Sequence, residues 1–213
     1  MTKIEQIIAY AQDKLMNEKT GHDFYHARQT AVLAQKIIKQ DQLSVNEFIV
    51  FTSAYLHDVI DDKVTKNAEK ALRELGDFLV EVTYSEDEVQ QILFIITHLS
   101  FSDEMFGEKK ELPLEGKIVQ DADRLEALGA GGILRAAYFS GAHGQKIYDP
   151  TIKVRKLQSK SEYRQPSTTI NHFYEKLCLL PELMNTTYGK QEGLKRKKFM
   201  DDFLKQFYKE QEI

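Results

Sequence analysis

The sequence predicts an all-α fold carrying one long irregular loop, at about residues 141–168. Breakers are sparse, with 11 Gly and 4 Pro in 213 residues, so the segments between them suit helices better than many short strands. Apolar residues recur at three- and four-residue intervals over most of the chain. Several of these runs open on Ser or Thr with Glu three positions later, the capping box that satisfies orphaned N–H groups at a helix start.

The first run, Ile4, Ile7, Ile8, Ala11 and Leu15, opens on Thr2 and Glu5 and is broken over Asn17–Gly21. From about Asp23 to Gln40 a second helix carries Phe24, Ala27, Ala31, Leu33, Ala34, Ile37 and Ile38, with His26 offset from that stripe or at its margin. Ser44 and Glu47 form a capping box for a third, through Phe48, Ile49, Thr52, Tyr55, Leu56 and Val59, which delivers His57 and Asp58. Asn67 caps a short helix through Ala71, Leu72 and Leu75, closed near Gly76. Ser85 and Glu88 open another, through Val89, Ile92, Leu93, Ile96 and Leu99, with His98 near its end. Residues 100–113 are rich in turn formers.

Leu114–Leu128 reads as a helix whose apolar positions, Ile118, Val119, Ala122, Leu125 and Leu128, are interrupted by Asp121 and Asp123. Gly129-Ala130-Gly131-Gly132 then predicts a turn or a close helix crossing; no strand precedes it, which disfavours a phosphate-cradling loop. Residues 141–168 show no sustained period and hold Lys146, Lys153, Arg155, Lys156, Lys160 and Arg164 against Asp149 and Glu162. Loops of that length are either functional or mobile, and a phosphate-contacting lid and a solvated loop both fit. A helix through Ile170, Phe173, Tyr174, Leu177 and Leu180 stops at Pro181. The final helix presents Phe199, Phe203 and Phe207 every four residues, with Met200 and Leu204 beside them. With no repeat, low-complexity tract or linker, one domain over 1–213 accounts for the chain.

Composition narrows the function. A net charge of −4 exerts no global pull towards nucleic acid or anionic membrane, and Lys195-Arg196-Lys197-Lys198 reads as a solvated helix face. The single Cys178 excludes an internal disulfide and a Cys-rich zinc module. No apolar run approaches the roughly 20 residues that span a bilayer, and the N-terminus lacks the apolar core of a signal peptide; a cytoplasmic protein is expected.

The chemistry concentrates in Tyr55-Leu56-His57-Asp58-Val59-Ile60-Asp61-Asp62. Burying that much ionisable surface is costly unless something pairs it, and a divalent cation does so best. Adjacent helical residues point about 100° apart, so His57 and Asp58 reach one ion only from a helix end. A second imidazole and a further carboxylate must come from neighbouring helices, and His26 and Asp123 stand in the right order for it. Nitrogen and carboxylate donors together suit Mn, Fe, Co, Ni or Zn better than Mg or Ca.

In this order of His, then His-Asp, then Asp, the chain resembles the HD superfamily of metal-dependent phosphohydrolases, whose fold is a helical bundle. The blocks are Gly21-His22-Asp23-Phe24-Tyr25-His26, Leu56–Asp62 and Gln120-Asp121-Ala122-Asp123-Arg124-Leu125-Glu126-Ala127-Leu128-Gly129. Tyr148-Asp149-Pro150 and Asn171–Leu177 are similar to a bacterial subgroup that includes Mn-dependent nucleoside triphosphate pyrophosphohydrolases. The resemblance implies His26, His57, Asp58 and Asp123 as ligands of one divalent ion, with Mn favoured. Asp123 is preferred to Asp121 because the family's ligand precedes a basic residue. Asp61 and Asp62 match the acidic pair that activates water in the guanosine tetraphosphate hydrolase branch. Gln29 stands where the family often has Arg, which leaves Arg28 unassigned.

The expected substrate is a small phosphorylated metabolite, foremost a nucleotide. Arg124, Lys153 and Arg155 are candidates for its phosphates, Tyr148 for its base, and His98 for proton delivery to the leaving group or for holding a phosphate. Pyrophosphate release from nucleoside triphosphates leads, ahead of nucleoside monophosphate phosphatase and guanosine tetraphosphate hydrolase activity. A non-catalytic metal- or nucleotide-sensing module is the rival from another class. No nucleic-acid or membrane partner is expected, and a homodimer is one admissible assembly.

Overall fold

The computed structural model describes residues 1–61, 64–107 and 110–211, and every regular element among them is helical. The capping boxes foreseen at Thr2–Glu5 and Ser85–Glu88 form, opening α1 (Lys3–Leu15) and α5 (Glu86–His98). Asp23 caps α2 (Phe24–Asp41) by accepting from the His26 N–H. Helix α3 (Glu47–Leu56) starts on Asn46 rather than Ser44: the Asn46 carboxamide oxygen accepts from Phe48 and Ile49, which takes up two of the free N–H groups directly. Helix α4 (Ala68–Glu81) runs through Gly76 and stops only before Thr83, which has φ 69°. A single interior glycine costs a helix about 1 kcal/mol, which packing on α5 outweighs.

The turn-rich stretch after Ser100 contains α6 (Phe101–Phe106), followed by α7 (Leu114–Glu126) and α8 (Gly129–Ala142). The tight corner between α7 and α8 falls at Ala127 and Leu128, and the glycine-rich stretch forms the first turn of α8 directly after it. Gly129 has φ 76°, and a Cβ at Gly132 would collide with the Ala127 carbonyl.

The irregular segment after α8 is interrupted by α9 (Lys160–Tyr163) and leads to α10 (Thr169–Glu175). It is stitched down, since Thr169 and Ile170 donate to the carbonyls of Lys146 and Ile147 at 3.0 Å. The helix expected to continue to Pro181 breaks at Lys176 and resumes as a 3₁₀ segment, Leu177–Leu183, with Pro181 inside it. An α-helix here would drive the proline ring into the carbonyl four residues back. Helix α11 (Thr187–Glu210) buries Met200 and Leu204, whereas Phe199 and Phe203 stay 54% and 36% exposed. The phenylalanine stripe is the margin rather than the centre of its packed face, with Phe203 stacked on Phe173 at 5.9 Å.

Two apolar clusters result. The larger joins α1–α5 and α7 through residues such as Ile7, Ile37, Leu56, Leu79, Ile92 and Ile118. The second gathers Leu128, Ile170, Phe173, Leu180, Met200 and Leu204. Helix α2 packs most extensively on α7 and α3. That arrangement brings the first turn of α2 to the C-terminal ends of α3 and α7, and helix C-termini favour cations. No helix among the described residues is long and apolar enough to cross a membrane.

Candidate metal centre

His57 is the C-cap of α3, so Asp58 lies in the turn beyond it. This is the helix end that two adjacent residues need to reach one point. His57 Nδ1 donates to the Ala54 carbonyl at 2.9 Å, which leaves Nε2 as the nitrogen facing inward. His26, in the first turn of α2, is only 3% exposed, not at the margin of its helix; what covers it comes from α7 and α8.

The two Nε2 atoms approach to 3.0 Å, and Asp58 Oδ2 lies 3.2 Å from each. Asp123 Oδ1 completes the group at 3.3 Å from His26 Nε2 and 3.7 Å from His57 Nε2. Within this group the donor atoms of His26, His57 and Asp58 all lie within 4.8 Å of one another. Asp58 Oδ2 is buried with no hydrogen-bond partner. Two imidazole nitrogens and the orphaned buried oxygen of Asp58, with Asp123 Oδ1 beside both imidazoles, fit a divalent cation.

The electrostatics agree. Burial alone would lower the His26 pKa, but the carboxylates of Asp123, Asp58 and Glu126 hold it up to about 9. His57 is likewise pushed well above the usual histidine value against burial, chiefly by Asp58 and Asp123. Burial would raise Asp58 and Asp123, yet the imidazoles keep both well below the usual carboxylate range. The centre is built to hold positive charge. Its carboxylates differ in access: the Asp123 side chain is 37% exposed against 10% for Asp58, so the opening lies on the Asp123 side.

Glu126 and Arg135 are site residues that the motif reading missed. Glu126 Oε2 receives His26 Nδ1–H at 3.1 Å, and Arg135 pairs with Glu126 and reaches the same imidazole edge. One available signal was spacing, because Glu126 follows Asp123 by one helical step of three and so shares its face. His22, read as structural support, meets His26 edge to face at 5.8 Å.

Asp61 lies in the turn after Asp58, its N–H donating to the Asp58 carbonyl at 3.0 Å. Asp62 lies outside the described residues. Asp121, read as structural or supporting, accepts from the backbone N–H groups and side chains of Asn185 and Thr186 and takes no place among the inward-facing donors.

The expected phosphate and base contacts stand differently. Arg124 is buried and donates to Glu104 and the Leu183 carbonyl. Arg155 forms a two-pronged pair with Glu175, at 3.0 and 2.8 Å, and also donates to the Glu162 and Gln165 carbonyls. Tyr148 packs edge to face on Phe207 and Tyr208, at 5.5 and 5.9 Å. Lys153 is exposed. The sequence could not show these commitments because each partner lies far along the chain or across the fold. His98 stacks on Phe94, donates from Nδ1 to the Phe94 carbonyl at 2.8 Å, and helps line a cavity of about 450 Å³ with Gln120, Lys117 and Asn185.

Comparison with known proteins places this geometry. The family model for the HD domain matches residues 23–128, a span that contains all four converging donors. An uncharacterized protein of Bacillus subtilis (strain 168), YpgQ, is 35% identical over 210 residues, which is 99% of this chain and 94% of that protein. A Lactobacillus plantarum crystal structure is 41% identical with TM-score 0.88, covering 98% of this chain and 96% of that one. The crystal structure of B. subtilis YpgQ in complex with ADP is 32% identical with TM-score 0.77, covering 97% of each chain. An HD-superfamily hydrolase from Bacillus thuringiensis is 38% identical with TM-score 0.76, covering 99% of this chain and 97% of that one. A buried His, a His-Asp pair at a helix end and a facing Asp, inside the matched span and on a fold shared along the whole chain, mean that this chain belongs to the HD domain family.

Proposed function

We propose that the protein is a divalent-metal-dependent phosphohydrolase acting on a nucleotide, with pyrophosphate release from nucleoside triphosphates as its leading reaction. The observation that carries this reading is the convergence of His26, His57, Asp58 and Asp123 on one point, with an orphaned carboxylate oxygen among them. The crystallised complex of YpgQ with ADP supports a nucleotide as the ligand.

His26 and His57 would hold the ion through Nε2, and Asp58 and Asp123 through carboxylate oxygens, with Mn the ion we favour. When bound, the ion supplies Lewis-acid polarisation of a phosphoryl oxygen and acidifies water. Asp61, one turn beyond Asp58, and Asp62 would take the proton released as a water oxygen bonds to phosphorus and the phosphorus–leaving-group bond breaks. His98 can deliver a proton only from Nε2, because its Nδ1 hydrogen is given to the Phe94 carbonyl. The chain would work as one unit over 1–213, since α7 carries Asp123 for the metal centre and Asp121 for the start of α11.

The test is a Mn-supplemented screen of nucleotides with product analysis, run on the wild type and on Asp58→Ala. Release of pyrophosphate or phosphate is expected, falling by about a hundredfold or more in the variant, whose helical circular dichroism is retained. A Mn-loaded protein that binds nucleotides and releases nothing would make it a sensor instead.

A further inference from the structure

Within Lys195-Arg196-Lys197-Lys198, read from the sequence as a solvated face, one residue turns inward. Lys195 pairs with Glu192 and Lys197 with Asp201, both along α11 itself. Arg196 also meets Glu192, from Nε at 3.0 Å, but its Nη1 leaves α11 and donates to the Leu125 carbonyl on α7 at 2.6 Å. Its side chain is 24% exposed against 74% for Lys195.

Leu125 lies in the last turn of α7, where carbonyls run short of intrahelical donors. Its oxygen accepts the Leu128 N–H at 3.1 Å, and the guanidinium adds a charge-assisted bond at the negative end of the helix dipole. A glycine makes the room for it. A Cβ on Gly129 would stand 3.3 Å from Arg196 Cγ and 3.4 Å from its Cβ, so a side chain there would press on the arginine stem.

That last turn grips the His26 ring at both nitrogens. Asp123 Oδ1 lies 3.3 Å from Nε2, and Glu126 Oε2 lies 3.1 Å from Nδ1. Beyond the corner, α8 returns Arg135 to the same imidazole and to Glu126. Three side chains that meet one ring thus depend on how one turn and one corner are set. Helix α11 fastens α7 at two points: Asp121 accepts from Asn185 and Thr186, and Arg196 closes on Leu125.

We propose that Arg196 is a positioning residue of the metal centre: bonded to the Leu125 carbonyl over Gly129, it fixes the last turn of α7 so that Asp123 and Glu126 meet opposite nitrogens of His26. This rests on the metal-centre reading and adds a residue that touches neither ion nor substrate. Arg196→Leu removes the donors and keeps part of the stem. Arg196→Lys keeps the charge and a donor, and Lys195→Leu is the control on the same run. When Mn is titrated into chelator-treated protein, Arg196→Leu is expected to bind about tenfold more weakly. Arg196→Lys should recover most of that loss, and Lys195→Leu should match wild type. Co is the second probe, because its visible absorption reports the donor set and its geometry. The Co spectrum of Arg196→Leu should depart from that of wild type. A role confined to stability would lower the melting temperature and leave the Co spectrum, and Mn affinity well below the transition, unaltered. Arg196→Gln, polar at a helix surface, gives the same reading if the leucine variant fails to fold.

Mn affinity within about twofold of wild type in Arg196→Leu, with a superimposable Co spectrum, would overturn the assignment and leave the metal centre standing. A wild type that takes up neither Mn nor Co would defeat the metal centre itself, and this role with it. Weaker Mn binding and a changed Co spectrum in Arg196→Leu, with no nucleotide turned over by wild type, would sink the hydrolase reading and leave the positioning role in place.

Discussion

His26 presents Nε2 to the metal centre because its other ring nitrogen is held by Glu126, 100 residues away in sequence. A carboxylate on the far side of a ligand imidazole fixes the tautomer, orients the ring and raises its basicity. Arg135 offsets the Glu126 charge that would otherwise be buried alone. Glu126→Gln keeps the size of the side chain and removes that charge. It is expected to weaken Mn binding by about 10–100-fold, measured by titration of the chelator-treated protein, while the melting temperature of the chelated form moves little. Affinity within twofold of wild type would mean that the ring is oriented by something else. At this scale the sequence was informative about residue type and poor about surroundings. His57-Asp58 announced itself by its apolar company, whereas His26 read as marginal because the groups that bury it lie on helices far along the chain.

Asp121 shows the same limit at the scale of an element. Two residues before Asp123 and on the same helix, it points instead at the start of α11, accepting from Asn185 and Thr186 at 2.7–2.9 Å. A carboxylate there satisfies N–H groups just ahead of α11 and complements the positive end of the helix dipole. Asp121→Ala strands several buried donors, and a loss of about 2–4 kcal/mol is expected, read as a melting temperature lower by about 5–15 °C. Mn affinity measured well below that transition should stay near wild type; a metal-binding defect as large as that of Asp123→Ala would contradict the structural assignment. Helix starts were legible where caps act within a single turn, as at Thr2, Asn67 and Ser85. Helix interiors and ends were less so: packing carried α4 through Gly76, and tertiary placement chose Met200 and Leu204 over Phe199 as the buried side of α11.

At the scale of the whole molecule, the metal centre joins α2, α3 and α7, so its charge state couples to folding. His26 is raised from 6.5 to about 9 in the folded protein. The folded state therefore binds more protons than the unfolded one across that interval, and stability falls as pH rises through it. Thermal melts of chelator-treated protein should show a declining midpoint between pH about 6.5 and 9. Asp58 and Asp123, both held below their usual 3.8, add stability that is present above that value and lost as pH falls further. A divalent ion held by the two imidazoles would displace their protons, so the affinity for added Mn should rise with pH over the window in which the chelated protein weakens. A chelated protein with a flat melting profile from pH 6.5 to 9 would show that the imidazoles are not proton-loaded there.

The sequence by itself determined where the long amphipathic helices run and the order His, His-Asp, Asp, because capping, apolar period and a helix-end dipeptide are short-range matters; the short helices α6 and α9 and the 3₁₀ break at Lys176 were not legible in it. Only the tertiary structure decided which oxygens and nitrogens meet at one point and which cations are already engaged. Arg155 finds Glu175 20 positions on, and Arg124 reaches the Leu183 carbonyl 59 positions on. Partners at such separations are chosen by how helices pack, and no local pattern in the chain encodes that choice.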